Sequence, residues 1–304
     1  GVINNMYWGM NNYDYDAYSD YWFPGQEGLA QNYFLTWGTN PFLIVNENLN
    51  GFNRNRMFGN VKATYNATDK LSFFVRAGTD FYNDRRKSQR PSGQPNFPNG
   101  MYREQSIGYQ ETNIDFLATY SDKVSDDISF KITAGANRLD QSFANQFFET
   151  RNLGIPGVYN TGNAGDVPNL AQYDAAKRIN SLYATAQLNM KDQIFLDITG
   201  RNDWSSALAT PFSVDNTSFF YPSVSSSFIL SEVVDLSKAF SFAKLRASWA
   251  QVGNDTNPYQ TTSAFVAQTP YNGQPTFSNS NTIANANLQP ELTSSFEVGA
   301  VKSG

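Results

Sequence analysis

From Met57 to Lys302, apolar and polar residues alternate with a period of two in most readable segments. That period sends successive side chains to opposite faces of a strand. In 57–65, Met57, Val61, Ala63 and Tyr65 share one face, and Asn60, Lys62 and Thr64 share the other, with Phe58 as the exception. In 71–82, Leu71, Phe73, Val75, Ala77 and Phe81 oppose Ser72, Arg76 and Asp80. Ile114, Phe116, Ala118 and Tyr120 oppose Asn113, Asp115 and Thr119. Ile128, Phe130, Ile132 and Ala134 oppose Ser129, Lys131, Thr133 and Asn137. Leu182, Ala184, Ala186 and Leu188 oppose Ser181, Thr185, Gln187 and Asn189. Ile194, Leu196 and Ile198 oppose Asp197, Thr199 and Arg201. Leu245, Ala247 and Trp249 oppose Lys244, Arg246 and Ser248. With 219–230 and 292–302 the pattern predicts about nine strands of about 8–12 residues.

The links between them alternate in length. Short ones are expected at 66–70, 121–127 and 191–193, and a medium one at 231–242. Long ones are expected at 83–108, 140–178, 202–218 and 253–291, rich in Asn, Gly, Pro, Gln and Ser. A compact soluble domain rarely carries several long structureless loops. An outer-membrane barrel has tight periplasmic turns at one end and long extracellular loops at the other.

Lipid cannot hydrogen-bond the backbone, so only helices and closed barrels cross it. In "IFLDITGRNDWSS" (194–206), Asp197, Thr199 and Arg201 then point into a wet lumen, and Trp204 sits near the outer rim in an aromatic girdle. A soluble sandwich with polar outer faces gives the same alternation. The two differ at Ile114, Leu196 and Leu245: a sandwich tucks them between stacked sheets, and a barrel turns them to hydrocarbon. The barrel is the favoured reading. The fold expected is all-β, an antiparallel transmembrane β-barrel segment, with an extracellular loop region at 1–53 and strands with their loops and turns at 54–304. Nine strands leave two unpaired edges in lipid, so the chain reads as an arc of a larger barrel with both ends missing.

Composition narrows the function. The 304 residues carry a net charge of −5, and the 22 Lys and Arg do not gather into a run apart from Arg85-Arg86-Lys87, so no nucleic-acid partner is expected. Cysteine and histidine are absent, which removes disulfides, thiolate sites, a Ser-His-Asp triad and His-ligated zinc or haem. No catalytic residue, metal or cofactor is expected. Aromatics at 15% against 16% charged residues favour strands. No window approaches the roughly 20 apolar residues of a membrane helix. The first residues resemble the middle of a protein, with no signal peptide at Gly1.

Several blocks carry a resemblance. "NPFLIVNENLNGFNRNRMFGNVKATYNATDKLSFFVRAGTDFYNDRRK" (40–87), "LDITGRNDWSSAL" (196–208), "FFYPSVSSSFILSE" (219–232), "KLRASWAQVGNDTNPY" (244–259) and "NLQPELTSSFEVGA" (287–300) stand in order along the chain. Together they resemble the SusC/RagA-type TonB-linked outer-membrane transporters of Bacteroidetes. The resemblance implies a barrel of about 22 strands. It also implies an N-terminal plug, a SusD-like surface lipoprotein as lid, capture of oligosaccharide or peptide, and opening driven by the TonB complex. No TonB box, plug or C-terminal strand is found here, so the plug is expected outside these 304 residues.

Candidate contacts follow from the polar face. Arg76, Asp80, Asp115, Lys131, Asp197, Arg201, Lys244 and Arg246 are expected to face the lumen, where they touch a hydrophilic solute or the plug, or pair with each other across strands. Trp204 joins them as a possible contact, together with the loop aromatics Tyr7, Trp8, Tyr21, Trp22, Trp37, Phe97, Tyr102 and Phe147, whose rings can stack on sugars or peptide side chains. "NDRRKSQR" (83–90) reads as a basic loop base near the bilayer, open to an acidic ligand or lipopolysaccharide phosphate. "YDYDAYSD" (13–20) reads as an extracellular loop, since no calcium frame follows it. "GNAGDVPN" (162–169) lacks the Lys-Ser/Thr of a phosphate loop.

The leading function is therefore outer-membrane import of a nutrient without covalent chemistry. One rival is a TonB-dependent receptor for siderophore, haem or cobalamin. A rival of another class is a secreted soluble β-rich protein, either a glycan-binding module or a carboxylate-pair glycosidase.

Overall fold

The computed structural model describes residues 2–8, 14–234 and 242–303. Among them, nine strands form one sheet: β1 Asn50–Asn66, β2 Leu71–Arg90, β3 Met101–Ser125, β4 Ile128–Thr150, β5 Asn169–Met190, β6 Ile194–Ser205, β7 Ser218–Ile229, β8 Phe242–Asn254 and β11 Glu291–Ser303. Each strand neighbours the next in this order. The pairings β5–β6, β6–β7, β7–β8 and β8–β11 are antiparallel. β9 Val266–Tyr271 and β10 Gln274–Ser278 form a separate antiparallel hairpin.

The strands lie where alternation places them, but several run further. Residues 83–90, 101–108, 140–150 and 169–178, expected as loop, continue β2, β3, β4 and β5. Polar side chains cover both faces there, so the contrast that marks a lipid-facing strand fades while the backbone ladder goes on. The link between β3 and β4 shrinks to Asp126 and Asp127. Between β5 and β6, Lys191 and Asp192 both take φ of 55°, and Gln193 N–H donates to Met190 O at 3.0 Å. These are the marks of a type I′ turn, whose twist suits a hairpin. Most of the medium link before Phe242 falls at 235–241, outside the described residues.

Two compact units divide the chain. One comprises Gly1–Met57, Asp80–Gln110 and Ser142–Ala175. It holds the short helices α1 Val2–Tyr7 and α2 Pro41–Glu47. Asn40 caps α2, accepting from Phe42 N–H at 2.8 Å, while its amide donates to Tyr18 O at 2.9 Å and Asn32 O at 2.7 Å. Asn40 and Leu43 are fully buried, so the cap both starts the helix and pins the loop around it. Gly93 has φ of 82°, and a Cβ there would lie 2.3 Å from Leu29 O; only glycine fits.

The other unit comprises Phe58–Thr79, Glu111–Gln141 and Ala176–Gly304, and in it the register separates two faces. One row reads Ala186, Ile198, Val224, Trp249, Phe296. The next reads Leu188, Leu196, Ser226, Ala247, Val298. On this apolar face Ile114 is 46% and Leu245 49% exposed, and Leu196 is half-buried. A sandwich would hide all three between sheets. On the opposite face the rows read Gln187, Asp197, Ser225, Ser248, Glu297 and Thr185, Thr199, Ser223, Ala250, Ser295. Aromatic rings fill the gaps that glycines leave on both faces: Phe220 lies over Gly200 and Tyr183 over Gly135.

Candidate functional site

The polar face is the candidate site, and strand register decides which of its charges meet. In the second unit, Arg76 on β2 grips Asp115 on β3 through Nε at 2.8 Å and Nη2 at 2.6 Å. Asn137 on β4 donates to the other oxygen of Asp115 at 2.6 Å. Asp115 is 6% exposed, and the three bonds give both oxygens a partner in a carboxylate that would otherwise be costly to bury.

Arg201 on β6 donates to Asp203 at 2.8 Å and Ser181 at 2.8 Å, with its guanidinium 5.5 Å from the centre of the Tyr183 ring. Tyr221 completes the group, its hydroxyl donating to Asp203 at 2.7 Å. Arg246 lies across Gly299 and reaches Glu297 at 2.9 Å. A side chain at 299 would push it away. Sequence alternation places these residues on one face, but it does not reveal the partners Asn137, Ser181, Asp203 and Tyr221, which depend on register.

Asp197 and Lys131 behave differently. Neither side chain forms a hydrogen bond or ion pair among the described residues. Both line a cleft of about 610 Å³ toward the short-turn end of this face, with Lys123, Gln187, Asn189 and Phe195. They are charged, accessible and unneutralised by the wall.

Trp204, expected as a contact beside Asp197 and Arg201, is on the other face. It pairs with Asn180 and Ser218, one step out of phase with Arg201 and Asp203, and lines an apolar groove with Ile114, Phe116 and Leu182. The parity of "RNDWS" carries this, because a strand that turns Arg201 and Asp203 one way must turn Trp204 the other.

Asp80 belongs to the first unit. Arg56 binds it bidentately, Nε at 2.8 Å and Nη2 at 2.5 Å. Nearby, Arg54 and Arg86 both donate to Asp84 Oδ2, at 2.7 and 2.8 Å. The basic stretch 83–90 is thus strand, with its arginines partly consumed by Asp84. The loop aromatics divide in the same way. Tyr102 is buried, and Phe147 and Phe97 lie under Arg103 and Arg151. Tyr7, Trp8 and Trp37 are exposed and meet edge to face, with centroids 6.0 and 6.3 Å apart. Tyr33 donates to Asn5 O at 3.0 Å; burial, with Tyr15 and Tyr18 nearby, pushes its hydroxyl up to about 12, so it stays a donor. Asp14 to Asp20 hold a turn of 3-10 helix, and no group of three or more metal-ligating side chains occurs among the described residues.

The solved RagAB peptide transporter superposes with a TM-score of 0.71 at 20% identity, over 87% of this chain and 30% of that one. The same importer in its closed-closed state gives a TM-score of 0.69, covering 87% and 29%. TonB-dependent receptor P26 of Formosa agariphila is 27% identical over 274 residues, 86% of this chain and 27% of the relative. The chain thus spans under a third of the length of these relatives. The family model described as TonB dependent receptor-like, beta-barrel matches residues 3–303. The chain belongs to that outer-membrane β-barrel family.

Proposed function

We propose that this chain is part of the wall of a TonB-dependent importer that takes up an oligosaccharide or peptide together with a SusD-like lipoprotein. The observation that carries the reading is the division of labour on the polar face. Arg76, Asp115, Arg201 and Arg246 are spent on the wall itself, whereas Asp197 and Lys131 face an open cleft without partners. An unpaired acid and base at the short-turn end suit contact with a plug held inside the bore, and the TonB complex would act through that plug. Exposed rings at Tyr7, Trp8 and Trp37 supply a surface suited to stacking on a sugar or peptide. The likeness to a Formosa receptor and to a peptide importer supports a nutrient as cargo. No covalent chemistry is required.

The test is purification of the full-length receptor from outer membranes under mild detergent, followed by mass spectrometry of whatever accompanies it. Co-purification of a surface lipoprotein with bound glycan or peptide is expected. A receptor that carries no lipoprotein and binds ferric chelates, haem or cobalamin would replace this reading with the metal-complex receptor.

A further inference from the structure

The apolar face carries a second, unassigned feature. Ile114, Phe116, Ala136, Leu182 and Trp204 wall an outward groove of about 410 Å³, with Arg138 at its margin. Arg138 donates through Nε to Asp140 at 2.7 Å, and Arg178 donates through Nε to the other oxygen of Asp140 at 2.5 Å. Both guanidiniums are about half-exposed, and neither uses its Nη nitrogens on another described residue. Two cations share one anion, so the cluster keeps a net positive charge beside a hydrocarbon wall.

The level of the cluster is set by counting. Arg138 stands at the end of an eleven-residue run from Ile128, just after the β3–β4 turn, and Trp204 ends a run of the same length from Ile194. A tilted strand of about 9–11 residues spans the hydrocarbon core. The short turns are periplasmic in this family. Arg138, Arg178 and Trp204 therefore stand at the outer interface, with hydrocarbon below and headgroups above.

We propose that this groove binds one outer-leaflet lipid of the lipid A class, an acyl chain lying against Ile114, Phe116 and Leu182 and a sugar-borne phosphate bridging the free Nη groups of Arg138 and Arg178. An anionic head matches the surplus charge, and only an amphiphile satisfies both halves of the site. Guanidinium forks suit phosphate oxygens in shape as well as charge. The site depends on outer-membrane placement and not on what the barrel imports.

The test uses the full-length receptor, delipidated in detergent and titrated with monophosphoryl lipid A under native mass spectrometry. The wild type is expected to hold one lipid, and Arg138→Gln/Arg178→Gln to bind it at least tenfold more weakly. The dephosphorylated lipid should bind both proteins equally weakly. Leu182→Gln should weaken the phosphorylated lipid with both arginines intact. Heat-modifiable migration on gels verifies that each barrel is folded; should the double variant not fold, Arg178→Gln alone retains the Arg138–Asp140 pair and is expected to weaken binding several-fold. Equal binding of monophosphoryl lipid A by wild type and a folded arginine variant overturns the proposal. So does equal wild-type affinity for lipids with and without phosphate, or inorganic phosphate binding at the arginines while lipid binding ignores them.

Discussion

Lys177 and Asp255 form an ion pair at 3.0 Å across 78 positions of chain. Ser205 donates to the other oxygen of Asp255 at 2.5 Å. The pair is largely buried, with side-chain exposures of 17% and 8%. Lys177 ties β5, and Ser205 the end of β6, to the loop after β8, so two of the blocks that carry the family resemblance, "GRNDWSSAL" and "VGNDTNPY", meet at one carboxylate. Tyr259 adds a further tie, its hydroxyl accepting from Ala176 N–H at 3.3 Å.

Removing one partner strands the other. Lys177→Met is expected to lower the local opening free energy of these loops by about 2–4 kcal/mol, because a buried acid loses its counter-ion. Hydrogen exchange at 205–209 and 253–261 should quicken while β6 and β7 stay protected. The double variant Lys177→Met/Asp255→Asn should recover much of the loss. Unchanged exchange in the single variant would show that the pair holds nothing.

The Arg76–Asp115–Asn137 group tests whether charges on the polar face serve the wall. Arg76→Met leaves Asp115 with one donor and should cost about 1–3 kcal/mol in unfolding from detergent or bilayer, with half-exposed Arg76 placing the effect below that of a deeply buried pair. Charge reversal at the unpaired residues, Lys131→Glu with Asp197→Lys, should change barrel stability by less than about 0.5 kcal/mol. If the plug reading holds, that second variant alters uptake and retention of the plug. Equal loss of stability in both would mean that the cleft residues are wall residues too.

Much of this was legible in the chain, and what was not has identifiable causes. Strands β1 to β8 and β11 announce themselves because one face meets hydrocarbon, which makes every second residue apolar. Where polar residues stand on both faces that contrast disappears, and so 83–90 and 169–178 look like loop though they are strand. The β9–β10 hairpin was readable, since Asn272 and Gly273 take φ of 48° and 76° and Asn-Gly is the strongest short hairpin signal, but the length of the polar stretch around it masked it. Counting one residue from Asp203 separates the two expectations for Trp204, since it puts the indole on the girdle's face and not among the polar-face contacts. The partners of Asp80 and Asp115 could not be read by counting, because alternation gives the face of a residue and only register gives its neighbour.

Gly135 offers a sharper probe of the polar face. A Cβ at this position would lie 2.5 Å from the Tyr183 ring, which also packs beneath Arg201. Gly135→Ala must therefore displace the ring, and overpacking of this kind costs about 1–3 kcal/mol. Tyr183→Ala in the same chain should relieve the clash, so that the two changes together cost less than their sum. Strict additivity in a double-mutant cycle would show that the ring moves aside freely.

The final expectation separates hydrocarbon from water directly. Ile198 and Asp197 are adjacent in β6 but face opposite ways; Ile198 pairs with Val224 and Asp197 with Ser225. Val224→Arg should cost about 2–4 kcal/mol in folding into a bilayer if it lies near the midplane, because nothing there solvates a guanidinium. Ser225→Arg, one residue along, opens onto the face that already holds Asp197 and should cost less than about 1 kcal/mol, the two charges being opposite. The cost at Val224 should also fall when the same change is made further from the midplane, as at Asn202 near the level of Trp204. Refolding equilibria in vesicles for the three variants measure this gradient. A penalty at Ser225 as large as that at Val224 would mean that both faces are dry, and no bore could then run beside this wall.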